Sequence, residues 1–175
     1  MFRTGKAKGA AATLLLCGGY FLARAVMGHG ATEFPAGYRR WTYVHSLLIG
    51  ARDRAFAGHP CDKPCTGGIL HFYANPQAME GYRTGRFPEG SVLADELLEL
   101  RGQAGGGATE GPRRGVGVMV KDSRRFRASG GWGFEAFDGS DSARGILSNG
   151  ERTACFACHQ SRKDHDYVFT EFREF

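Results

Sequence analysis

The sequence predicts an α+β domain built on a mostly antiparallel sheet with short helices. Three observations lead there: at least four short segments of strand character, helical signals confined to short stretches, and no alternation of strand and long helix of the kind that builds parallel sheets. A chain of 175 residues with 42% hydrophobic and 23% charged residues is long enough to bury one real core and needs no second domain.

The elements follow in order. "YRRWTYVHSLLI" (38–49) mixes aromatic and β-branched residues and is expected as a first strand, followed by a Gly- and Pro-containing loop over 50–68. "ILHFYA" (69–74) is a second strand between Gly67-Gly68 and Asn75-Pro76. Asn75 as N-cap and Pro76 at the first helical position start a short helix that Gly85 can end. "GSVLADELLEL" (90–100) reads equally as strand or helix, and "RGQAGGGATEGPRRG" (101–115) as a flexible surface loop. "VGVMVK" puts Val116, Val118 and Val120 on one face, and "WGFEAF" puts Trp132 and Phe134 on one face with Glu135 and Phe137 on the other. Between them, "KDSRRFR" and the Gly-rich "ASGGWG" form a solvated turn.

The first 27 residues differ in kind. Arg3, Lys6 and Lys8 precede the apolar run "AAATLLLCGGYFLA", the pattern of a secretory signal, with Ala23-Arg24-Ala25 as a cleavage site and Val26 as the mature N-terminus. An uncleaved membrane anchor is the alternative, although the run is short for a span. Either way residues 28–175 are expected as an exported, periplasmic domain. Four of the 23 basic residues lie in the first 25, leaving 19 against 18 acidic ones, so the apparent basicity belongs to the targeting segment and gives no argument for nucleic-acid binding.

The chemistry concentrates in "ACFACHQSRKDHDYVFT" (154–170). Cys155, Cys158 and His159 form Cys-x-x-Cys-His, which supplies two thiols for the vinyl groups of a covalently attached haem and a neighbouring imidazole for its iron. A disulfide or half of a zinc site is the alternative. Zinc would need a second compact cluster, and Cys61 and Cys65 are spaced differently with no attendant histidine. One haem c per chain, attached near the C-terminus, is therefore expected. Only 16 residues follow His159 and none is methionine, so any sixth iron ligand must come from upstream. Met79 and Met119 suit core packing better, and His45, His71 and His165 suit surface or hydrogen-bonding roles better. The expectation is an open or weakly occupied sixth position.

The ordered set "YRRW", "YANPQAMEGYRTGRFPEGSVLADEL", "VMVKDSRRF", "GGWGFEAF" and "CFACHQSRKDHDYVFT" resembles the cytochrome P460 family, which includes the β-sheet cytochromes c′. The likeness covers nearly all of residues 38 to 172. It implies a mostly antiparallel β domain, often a homodimer, with His159 as proximal iron ligand. Enzymes of that family that oxidise hydroxylamine carry a lysine linked to the porphyrin, in a segment resembling Gly-x-Val-x-x-Lys-Glu-Leu. Here the segment is Gly90-Ser91-Val92-Leu93-Ala94-Asp95-Glu96-Leu97, and the lysine position holds Asp95, which cannot form the link. Lys121 belongs to a different motif and does not replace it. Alternation puts Asp95 on the face of Leu93 and Leu97, beside the expected distal pocket. The family's distal arginine falls at Leu70. An apolar distal wall suits neutral diatomic ligands such as nitric oxide or carbon monoxide better than hydroxylamine, so a gas-binding protein is expected ahead of a hydroxylamine oxidase or an electron carrier with a redox partner protein. Glu135 and Phe137 are further candidate pocket residues, and Cys61 with Cys65 is a candidate loop disulfide.

Overall fold

The computed structural model describes residues 32–50, 67–102 and 105–173. The expected signal or anchor over 1–27 and the Cys61–Cys65 pair lie outside the described residues. Five strands form one sheet in the order β1 (Thr42–Ile49), β2 (Gly68–Ala74), β3 (Val92–Gly102), β4 (Ala108–Lys121), β5 (Trp132–Asp138). Every neighbouring pair is antiparallel. Helix α1 (Pro76–Thr84) connects β2 to β3, and α2 (Asn149–His159) follows β5. Among the described residues no helix is long and apolar enough to cross a membrane.

The α1 boundaries follow the local chemistry. The Asn75 side chain accepts from Ala78 N at 2.9 Å and from Val92 N at 3.0 Å, and donates to Gly90 O at 2.9 Å, so one residue caps the helix and ties it to the start of β3. Such a cap contributes about 1 kcal/mol. Gly85 ends the helix at φ 75°, a left-handed conformation that suits a residue without Cβ.

Three expectations change. The first strand begins at Thr42, because Tyr38–Arg40 form a turn of 3-10 helix that carries Tyr38 into the core. The segment over 90–100, open between strand and helix, resolves as strand from Val92 onward. The supposed loop over 101–115 is largely hairpin: Leu100 pairs with Glu110, Arg101 with Thr109 and Gly102 with Ala108, and only the tip, with Gly105, Gly106 and Gly107 at positive φ, turns. Ladder hydrogen bonds override the local composition, and Pro112 is tolerated because it falls at a register shift.

The sheet separates two cores. On one face Val44, Phe72, Ala74, Leu93, Met119, Trp132 and Phe134 pack with Ala78 of α1, with Cys155 and Phe156 of α2, and with Val168. On the other, Ala94, Val116, Val118 and Phe137 pack under Phe34 and Tyr38. The alternation expected for β4 and β5 is therefore present, with Val116 and Val118 opposite in direction to Met119, and Trp132 and Phe134 opposite to Phe137.

Candidate functional site

Helix α2 brings the Cys-x-x-Cys-His residues to the first of these faces. Ser148 caps it with a reciprocal box: Glu151 N donates to Ser148 Oγ, and Ser148 N donates to the Glu151 carboxylate at 2.7 Å. Arg152 then forms an ion pair with the buried Glu135 of β5, whose carboxylate also accepts from Leu147 N at 3.0 Å. Glu135 thus fastens the approach to α2 onto the sheet and does not line the cavity described below.

His159 ends α2 with its ring 5.0 Å from Phe134 and 4.9 Å from Phe169. Its Nδ1 lies 2.6 Å from the Tyr167 carbonyl. A carbonyl can only accept, so Nδ1 carries the proton and Nε2 keeps its lone pair for a metal. Burial pushes the His159 pKa below its ordinary value, against the opposing effect of the Tyr167 carbonyl, which favours the neutral ring that a metal requires.

Asp95 is half-buried on this same face, in the cross-strand row His45–Phe72–Asp95–Gly117–Ala136. Its carboxylate lies over Gly117, where a Cβ would overlap it. It is near enough to Cys155 that, after burial, its charge is the next cause raising the thiol pKa. Leu70 is buried one pair along with Ile49, Leu97 and Phe72. The His45 ring lies tilted 4.9 Å from that of Phe72, and His45 lines a cavity of about 380 Å³ with Val44, Phe169, Glu171 and Arg173. Phe169 is the wall shared with His159.

A family model for cytochrome P460 matches residues 35–170. The chain belongs to the cytochrome P460 family. No curated protein matches it. Cytochrome P460 membership brings a haem and its iron as cofactor. The residues present fit such a group: Cys155 and Cys158 are unpaired thiols one helical turn apart, and Nε2 of His159 is the nitrogen left for iron. No residue of α2 in this cytochrome P460 chain is fully buried, although Cys155 and Phe156 pack against the sheet core.

Not all candidates converge. Phe137 belongs to the core of the opposite face. His71 also lies on that side, between Ser46 Oγ at 2.5 Å and Glu110 Oε1 at 2.6 Å. His165 is exposed beside Asp164, and Met79 and Met119 pack against the apolar core. Lys121 is held by Asp166 at 2.7 Å. Two functional elements escaped sequence reasoning. The capping box at Ser148 and Glu151 was readable as a helix start. The Tyr167 carbonyl was not, because a backbone acceptor leaves no mark on residue identity.

Proposed function

We propose that this cytochrome P460 family member is an exported, periplasmic haem c protein that binds small diatomic ligands, such as nitric oxide or carbon monoxide, at an open sixth position of its iron. Cys155 and Cys158 form the thioethers and His159 is the proximal ligand. Haem supplies the ligand-binding iron, and the chain orients it, shields one side and shapes the other. The observation that carries this reading is Asp95: a carboxylate stands on the site face, at the position to which the resemblance assigns the cross-linking lysine of hydroxylamine oxidases. Lys121, which belongs to a different motif, is engaged by Asp166 and gives no substitute. Leu70, Leu97 and Phe72 supply an apolar wall beside it, which suits neutral ligands.

A homodimer fits the same reading. Edge strand β1 leaves Tyr43, Leu47 and Leu48 exposed at 48%, 49% and 69%, apolar surface that a second copy can cover.

The test is intact mass and spectroscopy of protein matured in a periplasm. The mass should equal polypeptide plus one haem with no further loss of hydrogens, and the ferrous protein should be high-spin and take carbon monoxide without displacing an internal ligand. Steady hydroxylamine oxidation with the absorption of a lysine-modified haem would overturn the reading in favour of the enzyme. A low-spin ferrous spectrum would overturn it in favour of an electron carrier.

A further inference from the structure

Lys121 closes β4 with only 8% of its surface exposed, an unusual position for a lysine. Its Nζ donates to Asp166 Oδ1 at 2.7 Å and to Gly130 O at 3.3 Å, and lies 5.0 Å from the Trp132 ring centroid. Asp166 is equally enclosed, at 7%. Its second carboxylate oxygen accepts from Phe87 N at 2.9 Å, and its backbone carbonyl accepts from Trp132 Nε1 at 2.8 Å. Three separate elements therefore grip one residue that lies seven positions beyond His159.

That grip holds an unfavourable backbone. Asp166 and Tyr167 have φ of 51° and 67°, in the left-handed region, which costs on the order of 1 kcal/mol for each residue with a side chain. Tyr167 N bonds to Arg162 O at 2.8 Å, and the Tyr167 ring lies so close to Gly130 that a Cβ there would overlap it. The outcome of the turn is the direction of one group, the Tyr167 carbonyl, 2.6 Å from His159 Nδ1. A buried ion pair contributes little net stability against its apolar equivalent, so stability alone is a weak reason for placing one here.

We propose that the Lys121–Asp166 pair is a positioning device for the proximal histidine: it fixes the Asp166–Tyr167 turn, and through the Tyr167 carbonyl it sets how strongly His159 Nδ1–H is hydrogen-bonded and so how basic Nε2 is toward iron. The inference rests on the haem c reading above. A strong acceptor at Nδ1–H makes the imidazole a better donor, which favours ferric over ferrous iron and lowers the reduction potential. Neither Lys121 nor Asp166 touches the iron; both act through Tyr167.

The experiment compares holoprotein carrying Asp166→Asn, Lys121→Met or Lys121→Arg with the unaltered protein. The readouts are reduction potential, the iron–histidine stretching band of the ferrous form, and urea unfolding. Asp166→Asn and Lys121→Met should raise the potential by about a tenfold change in the reduction equilibrium, ~59 mV for one electron, and move the band to lower frequency. Lys121→Arg, which keeps the cation, should stay near the native values. Glu96→Gln, in the ion pair of the opposite face, should lower stability and leave potential and band unmoved. If Asp166→Asn and Lys121→Met lose stability but keep the native potential and band, the pair is structural only and the proposal is overturned. Should both fail to accumulate, Trp132→Phe removes one bond to Asp166 and should shift both readouts in the same direction by less; native values there overturn it equally. Absence of covalent haem from the unaltered protein, read first by mass, would overturn the functional reading instead.

Discussion

Two adjacent rows of the sheet, offset by one residue and so facing opposite ways, follow different rules. The row Ser46–His71–Glu96–Val116–Phe137 satisfies its polar groups within the protein: Ser46 and Glu110 take the two nitrogens of His71, while Tyr38 and Arg39 take the carboxylate of Glu96. The row His45–Phe72–Asp95–Gly117–Ala136 shrinks to small residues on its α2 side, and His45 borders a cavity. The first row is organised to close a face. The second is organised to leave room beside one. Sequence alternation predicts that the rows differ in direction, but only the pairing register says which residues of five strands share a row.

The sharpest break of this comparison is Glu96→Ala. Glu96 is 1% exposed and accepts from Tyr38 Oη at 2.7 Å, so its loss leaves a buried hydroxyl without that partner and a void beside Ala94 and Val116. Arg39, whose side chain is 60% exposed, can turn to water. The expected cost is about 2–3 kcal/mol in urea unfolding, most of it from the hydroxyl proton left without an acceptor and from the void. The carbon monoxide spectrum of the holoprotein should not move. A changed spectrum would mean that the two faces are coupled and that the closed row also shapes the site.

How much of this was legible depends on the kind of information a residue carries. Asn75, Pro76 and Gly85 declare a helix and its ends by side-chain chemistry, and the structure puts α1 there. Cys155, Cys158 and His159 are legible through spacing alone. The long hairpin was not, because Gly105, Gly106, Gly107 and Pro112 look like a loop until their neighbours pair across it. The role of Glu135 could not be read by alternation, which gives its face but not its ion pair with Arg152. Asp95 was placed correctly on the face of Leu93 and Leu97, since the strand has no irregularity between those positions.

A second test sharpens the comparison through alkaline stability. Tyr82, packed on the site face and hydrogen-bonded to Thr170, has its pKa pushed up to about 12, chiefly by burial. The folded state then keeps a proton that the unfolded chain loses near pH 10, so stability present below pH 10 is lost as the pH rises toward 12. Two pH units of offset correspond to roughly 2 kcal/mol after allowance for partial exposure. Tyr38 and Tyr73 on the other face are raised as well, with burial again the largest cause. Tyr82→Phe should therefore flatten the alkaline limb of the stability curve without abolishing it. A limb left unchanged would assign the alkaline loss to the closed face alone.

The smallest effect, and the most diagnostic, is expected at Gly117. Glycine in a strand interior is unfavourable by roughly 0.5–1 kcal/mol relative to alanine, so on propensity alone Gly117→Ala should stabilise β4. The Asp95 carboxylate lies where the new Cβ would stand, and displacing it from its seat beside Cys155 costs on the order of 1 kcal/mol or more. The two contributions oppose each other, so the sign depends on Asp95. In the native background Gly117→Ala should be neutral to slightly destabilising and should alter the carbon monoxide stretching frequency, because the carboxylate beside the site has moved. In an Asp95→Ala background the same change should stabilise by roughly 0.5 kcal/mol and leave the frequency alone. A double-mutant cycle then gives a coupling of about 1 kcal/mol, well above the few tenths found for independent sites. Additive single effects would place the Asp95 side chain away from Gly117 and, with it, away from the site face on which the choice between gas binding and hydroxylamine oxidation rests.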